Sequence, residues 1–534
     1  MLRCGFVLLA DVLACSDCLV VGGHGTALVS IGYSDCGADD FDVPELSLAG
    51  LRLAVESREC HGDRPVLYFL VANKSILDDL QVLLVPYQMI PIVIVCFNNH
   101  KYVENTVRQI TAKNPSYADT ILIMDNASTD PDTRAYLDAT PRKVVRNQVN
   151  HGPWLNHFYN ADVFKSLPER YILTDADLEL NKAMPENFID HLVEVMNYTG
   201  AWIVGVALKR DDCDLPYAGK SVFEYEQQFW QARIPHPTYE LYNAGVDTTF
   251  ALRDHRGSPL SVRVAGDFTA RHLPWYKEDG VMTIADKYAL YSSCNPRISV
   301  AANIILEHIN ANYSIVKKHD ETIVIKKNEG PNYNFWLEHF PTWEDELFVL
   351  FDRFLRKDKV CIDIGGWIGL TCIYASRKSK HVYVVEADPG SVKELKQNCS
   401  HNCDNVTIID KAIAVKSGET VFMGKNKHIS SAVLNDSTSQ AYDTPVDGSY
   451  AVTTISIDSL LPEYSISLIK VDIEGGEEDI LEDLYRVHKS TNAPLFVSFH
   501  LCWWKDQNLD RFSFLTNDQK HSIRCNPFHS VLFE

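Results

Sequence analysis

The apolar run Tyr171-Ile-Leu-Thr174 is followed by two carboxylates two residues apart, Asp175 and Asp177. In extended backbone, positions i and i+2 face the same side, so both could grip one hard divalent cation. That cation suits chemistry in which a diphosphate departs and its charge must be neutralised. Far downstream, Val360-Cys-Ile-Asp363-Ile-Gly365-Gly-Trp-Ile-Gly369 forms a different constellation: an apolar strand running into glycines that let backbone approach a ligand. A further strand-like run, Val382–Val385, ends at Glu386, whose carboxylate suits both hydroxyls of a ribose. Two separate small-molecule chemistries are implied.

The second pattern alone does not separate a NAD dehydrogenase from an S-adenosylmethionine enzyme. Its detail does. The dinucleotide fingerprint wants G-x-G-x-x-G opening a helix, and Trp367 sits where a glycine is needed. An Asp-x-Gly-x-x-x-Gly loop better suits an uncharged nucleoside with a sulfonium tail.

These residues need elements to hold them. From Met89 the pattern alternates: strand Ile90–Val95, helix Tyr102–Thr111, strand Thr120–Met124, helix Asp130–Ala139, strands Lys143–Val145 and Tyr171–Thr174. Such order predicts a mostly parallel sheet flanked by helices. Around 277–330 the pattern weakens into a helix at Ala301–Asn310 and alternating strands Tyr313–Val316 and Thr322–Lys326. From Val360 a new βαβ series begins.

The 534 residues suit two to four domains. A formal charge of −21 argues against a nucleic-acid surface. No window has the roughly 18 consecutive apolar residues of a membrane span. Phe6–Ala14 mimics a signal core, but Asp11 interrupts it. Fourteen cysteines spread over this length read as reduced thiols of a cytoplasmic enzyme. Cys15, Cys18, His24 and Cys36 have zinc-ligand chemistry, but free thiols in an irregular segment explain them better.

Three strand ends in the first half are chemically rich: Cys96-Phe-Asn98-Asn99-His100, Asp125-Asn-Ala-Ser128-Thr-Asp130, and Asp175-Ala-Asp177. Ligands collect at such ends in open α/β sheets. Asp125 can accept from a pyrimidine N–H, whereas Asp130 reads as a helix N-cap. With Asn150-His-Gly-Pro-Trp154, Gly245-Val-Asp247 and Ala265-Gly-Asp267-Phe-Thr-Ala-Arg-His272-Leu-Pro-Trp275, this ordered set resembles the family 2-like inverting GT-A glycosyltransferases, in particular the rhamnosyltransferase domain of large chlorella-virus fusion proteins. The resemblance covers about 89–276. It implies a nucleotide-diphosphate sugar donor (UDP-, GDP- or dTDP-linked), a glycan acceptor, Asp125 on the base, and Asp175 and Asp177 on Mn²⁺ or Mg²⁺. His272 is a candidate further metal ligand, or a loop histidine packed on Trp275. For the base that takes the acceptor proton, Asp247 comes first and Asp267 second; either could instead orient the acceptor. Trp154 and Trp275 are candidates to stack on sugars or to fill core.

The second half resembles the FkbM methyltransferases over roughly 313–505. The matching segments are Asp363-Ile-Gly365-Gly-Trp-Ile-Gly369, Val384-Val-Glu386-Ala-Asp388-Pro, Ile409-Asp410-Lys-Ala-Ile-Ala and Ile469-Lys470-Val-Asp472-Ile-Glu474-Gly-Gly-Glu477. That likeness implies S-adenosyl-L-methionine held by Asp363, Gly365, Gly369, Glu386 and Asp410, and O-methylation of a sugar or polyketide hydroxyl. Asp472, Glu474 and His500 are the candidates to take the hydroxyl proton. Their structural alternatives are a Lys470 partner, a helix N-terminal charge and a satisfied strand histidine.

The expectation is an α/β protein: a GT-A (Rossmann-like nucleotide-diphospho-sugar transferase) domain followed by a Rossmann-like class I methyltransferase domain. The boundaries read as an extension of unassigned role at 1–88, the first catalytic domain at 89–290, a linker at 291–330 and the methyltransferase-like domain at 331–534. The expected function is bifunctional glycan synthesis. The alternative is a methyltransferase carrying a non-catalytic glycan- or nucleotide-binding domain.

Overall fold

The computed structural model describes the backbone of 18–23, 26–32, 47–48, 51–52, 54–61 and 64–71, and then 90–151, 167–210, 220–246, 249–254, 256–276, 279–294, 300–425 and 438–534. The chain divides into two compact units, Met1–Ile90 and Pro91–Glu534. In the first, four antiparallel strands lie in the order Cys18–Gly23, Thr26–Gly32, Arg64–Val71, Ala54–His61. His24, Cys15 and Cys36, weighed for zinc, lie outside the described residues, as does Trp154.

The larger unit begins with a ten-stranded sheet. Ile92–Cys96, Ile121–Asp125, Lys143–Arg146 and Arg170–Asp175 run parallel, as the alternating pattern predicts. The first two are buried along their whole length, which is why they read as unbroken apolar runs rather than alternations. Beyond Arg170–Asp175 the sheet is mixed, contrary to a mostly parallel expectation. The physical reason is a short turn after Asp254. Ala251–Asp254 and Ser258–His272 leave that turn in opposite directions and flank Ala201–Leu208, the first antiparallel and the second parallel to it. A two-stranded turn of this kind needs no crossover helix, so the βαβ signal fades there.

Val300–Asn312 is a helix, and Tyr313–Lys318 pairs with Glu321–Lys326 as a hairpin. The hairpin packs on the helix Pro389–Asn402. There the fully buried Asn402 side chain accepts from Val324 N–H and donates to Val324 C=O, both at 2.8 Å, as a neighbouring strand would.

The last sheet has six strands in the order Val406–Asp410, His381–Glu386, Val360–Ile364, Ile466–Val471, Leu495–Ser498, Ser530–Phe533. The first five are parallel and the last is antiparallel. Separate apolar cores fill its two faces, one around Ile364, Val471 and Leu484, the other around Phe348, Tyr374 and Leu395. A smaller four-stranded sheet, Ala412–Ile413, Tyr450–Ile455, Thr420–Gly424 and Gln440–Tyr442, stands beside it.

Lys101, on the helix His100–Lys113, joins the two halves of this unit. Its ammonium lies 2.8 Å from Asp286 and 2.9 Å from Asp404, which follows the helix Pro389–Asn402. Lys357 reaches Asp132 at 3.0 Å. Among the described residues, no helix is long and apolar enough to cross a membrane, and the cysteines are free thiols.

Candidate functional site

Strand register sets the first site. Cys96 is paired with Asp125, and Val95 with Asp175, so the carboxyl ends of three neighbouring strands finish level. Asp125 is buried, and its Oδ1 accepts from Ser128 N–H at 2.9 Å, folding the following turn back against the strand. Asn98, at φ 53°, accepts from both Thr129 and Asp130 N–H through Oδ1 and closes the same edge. Asp130 is the N-cap of Pro131–Ala139, accepting from Thr133 N–H at 2.7 Å. Burial and the neighbouring Asp125 push the Cys96 thiol up to about 12, so it stays protonated there.

A long-range pairing delivers the third ligand candidate. Just past Asp177, Leu178–Leu180 pairs with the far end of Ser258–His272, matching Leu178 with His272. Leu273 N–H donates to Asp177 C=O at 2.9 Å and clips the junction. Asp175, Asp177 and His272 thereby place one donor atom each within 4.8 Å of one another. His272 Nε2 is 3.4 Å from Asp177 Oδ1, an oxygen shut off from solvent that accepts no hydrogen bond. The same ring meets Trp275 edge-on at 4.7 Å, so packing on Trp275 and facing the carboxylates are compatible. A converging Asp, Asp and His set with a sealed acceptor fits a hard divalent cation.

Behind it lies a group that sequence patterning missed. Lys287 and Asp279, neither exposed at all, form an ion pair at 3.1 Å, and Tyr102 donates to Asp279 at 2.6 Å. The available signal was the cap pattern Thr283-Ile-Ala-Asp286, which forms a complete capping box on Ile284–Ser293. Of the two carboxylates expected to serve the acceptor, Asp267 is exposed, at a bulge between Ser258–His272 and Ala201–Leu208. Asp247 lies outside the described residues.

The second site is a cavity of about 950 Å³ at the carboxyl ends of the six-stranded sheet. Gly365 has φ 83°, and a Cβ there would stand 1.7 Å from Asp472 C=O, so the loop exists only with glycine at this point. Asp363 is fully buried beneath it, held by Thr371 Oγ1 at 2.6 Å and by Lys470, whose ammonium is 3.2 Å away. Lys470 also donates to Gly365 C=O at 2.7 Å; at 3.8 Å from Asp472 it is nearer to Asp363. Glu386 accepts from Trp367, Ala387 and Asp388 N–H, which locks the strand end to the glycine loop. Burial pushes its carboxyl up to about 7, against the pull of those N–H groups.

At the other end of the cavity, His500 follows Leu495–Ser498 and stacks on Trp503 with centroids 5.1 Å apart. Its Nδ1 is 2.9 Å from Glu477, a fully buried carboxylate that also accepts from Gly475 N–H and Trp504 Nε1. Its Nε2 faces Glu474 at 3.3 Å and Asp472 at 3.6 Å. Burial opposes charge on this ring, yet the Glu477 bond and the three carboxylates raise it to about 9. Glu474 goes up to about 8, mainly through burial and its acidic neighbours. The three sequence candidates Asp472, Glu474 and His500 thus meet.

Asp410 does not join them. It points to Lys396 at 3.0 Å on the surface, 62% exposed, while its neighbour Lys411 lines the cavity. Conversely, Glu344 was missed: held at φ 46° ahead of a helix, it lines the cavity while remaining exposed to solvent, and partial desolvation with the Asp472 charge pushes its carboxyl up to about 7.

Residues 92–251 match the family described as glycosyl transferase family 2, and residues 363–517 match the methyltransferase FkbM domain. The chain joins one domain of each family. The six-stranded sheet with its glycine loop belongs to the FkbM domain, and the Asp-x-Asp edge to the glycosyl transferase domain. No curated protein matches the chain. Among solved structures, methyltransferase FkbM from Methylobacillus flagellatus KT is 10% identical, with 82% of this chain and 91% of that one covered at a TM-score of 0.22. Glucosyl-3-phosphoglycerate synthase from Mycobacterium tuberculosis is 19% identical, over 23% of this chain and 44% of that one, at 0.19. Precorrin 8W decarboxylase from Methanobacterium thermoautotrophicum is 13% identical, over 34% of this chain and 66% of that one, at 0.18.

Proposed function

We propose that the chain builds and finishes a glycan: the glycosyl transferase domain moves a sugar from a nucleotide-diphosphate donor to a hydroxyl with inversion, and the FkbM domain O-methylates a sugar hydroxyl. The observation that supports this reading is the Leu178–His272 pairing, which brings one donor atom each of Asp175, Asp177 and His272 together at the sheet edge that also carries Asp125. Asp175, Asp177 and His272 would hold Mn²⁺ or Mg²⁺. Bound there, the ion supplies charge neutralisation for the leaving diphosphate. Asp267 stays in reserve as the group that takes the acceptor proton; rhamnose is the sugar that the sequence resemblance favours.

In the FkbM domain, Gly365, Gly366 and Trp367 line the cavity, Gly369 instead faces the Ile373 and Leu395 side chains, and Glu386 has acceptor capacity beyond its three N–H donors for a ribose. Bound there, S-adenosyl-L-methionine supplies the methyl group as a sulfonium. Asp472, Glu474 and His500 orient the acceptor hydroxyl. Asp410 is omitted from the binding set because its carboxylate is spent on Lys396.

The test is incubation of the full chain with Mn²⁺ and a panel of UDP-, GDP- and dTDP-sugars, following nucleotide release. Thermal-shift titration with S-adenosylhomocysteine against NAD⁺ checks the second pocket. Absence of release from every donor would leave the non-catalytic alternative for the first domain, and a shift with NAD⁺ alone would overturn the methyltransferase reading.

A further inference from the structure

At one end of the FkbM cavity several carboxylates gather round a single imidazole. Asp472, Glu474 and Glu477 converge on His500, and the nearest ammonium, Lys470, is already closer to Asp363 than to Asp472. Buried charges need partners. Glu474 Oε2 is closed to solvent and accepts no hydrogen bond; it faces His500 Nε2 at 3.3 Å, and its residue lines the cavity. The His500 side chain is 9% exposed, and its Nδ1 is fixed on Glu477, a carboxylate with no exposure. A histidine whose second nitrogen is tied to a buried carboxylate is the usual way of aiming the first at a metal. Here Nε2 is aimed at both remaining carboxylates.

We propose that Asp472, Glu474 and His500 form a second divalent-cation site, inside the methyltransferase cavity, which grips two adjacent hydroxyls of the acceptor sugar. Each residue offers one donor atom, all within 4.8 Å of one another. Two carboxylate oxygens and one imidazole suit Mn²⁺ or Mg²⁺, which are near-octahedral and leave open positions on the cavity side. A vicinal diol fills two such positions and would be held at fixed distance from the glycine loop. The acceptor class is therefore a sugar with neighbouring free hydroxyls rather than an isolated alcohol. Glu477 acts as a positioning residue, holding the ring through Nδ1.

This inference rests on the methyltransferase reading, so the two are tested separately. Mn²⁺ binding to the full chain is read by electron paramagnetic resonance, with Asp175 and Asp177 both changed to Ala to silence the first site. The expected result is one remaining bound Mn²⁺, weakened at least tenfold by Glu474→Gln, which keeps the side chain's shape, and likewise by His500→Ala. No bound Mn²⁺ in the double variant, or binding indifferent to Glu474→Gln, would overturn the second site. S-adenosylhomocysteine titration of the unaltered chain stands apart. Failure there sinks the methyltransferase reading whatever Mn²⁺ does, and a normal shift with no second Mn²⁺ sinks only the cation site.

Discussion

His272 Nε2 and Asp177 Oδ1 lie 3.4 Å apart because Leu178, the residue after Asp177, is the strand partner of His272. Backbone pairing therefore carries a residue 95 positions away in sequence (272 minus 177) to the Asp-x-Asp edge. If the ring is a ligand, His272→Ala raises the Mn²⁺ concentration needed for half-maximal nucleotide release about 10- to 100-fold, and excess Mn²⁺ restores much of the rate. A lower rate with unchanged Mn²⁺ dependence would assign His272 to packing on Trp275.

Gly365→Ala is expected to abolish S-adenosylhomocysteine stabilisation and to cost at least about 2 kcal/mol in denaturant unfolding. The added carbon would meet Asp472 C=O, which is backbone and cannot swing aside. Gly418→Ala is the control: it also has positive φ, but nothing lies within 4 Å.

Glu386 links pH to stability with a definite sign. Its folded carboxyl is raised to about 7 by burial from an ordinary 4.5. Between those values the native state keeps a proton that the unfolded chain has released, so stability falls as pH rises through the window. The loss is up to about 3 kcal/mol. Glu386→Gln carries a constant penalty from facing Trp367 N–H with an amide, but it lacks the slope. Melting temperatures of the two proteins from pH 4.5 to 7.5 should therefore converge as pH rises.

Lys101→Ala removes two ion pairs of His100–Lys113, one to Asp286 in the same half of the unit and one to Asp404 in the other. Partial exposure limits the effect to about 1 kcal/mol, reduced further by salt. Asp404, 58% exposed, contributes less than Asp286 at 17%. Asp404→Ala should accordingly cost less than Lys101→Ala in the same urea titration.

Legibility in the sequence followed the range of the interactions. Asp175, Asp177, Gly365 and Glu386 stand at the ends of apolar runs, and a strand end announces itself locally. Pairings made across the chain do not: nothing near Glu344 marks it as cavity lining, since a residue at φ 46° ahead of a helix carries no periodic signal. Glu477 stands in the acidic first turn of a helix, where nothing local marks it out, yet it is fully buried and holds His500. The mixed character of the first sheet was hidden because Ala201–Leu208 is apolar whichever way its neighbours run. Asp410 looked equivalent to Glu386, with which it is paired in register, but a lysine on Pro389–Asn402 draws its carboxylate to the surface.

The central claim is that two transferase sites work independently on one chain. The most direct measurement takes the full-length protein and its Asp175→Ala form, supplies Mn²⁺ and donor sugar-nucleotides to both, and titrates each with S-adenosylhomocysteine. The account predicts that Asp175→Ala loses nucleotide release while the stabilisation by S-adenosylhomocysteine is unchanged. Loss of both together, or release that survives the substitution, would contradict it.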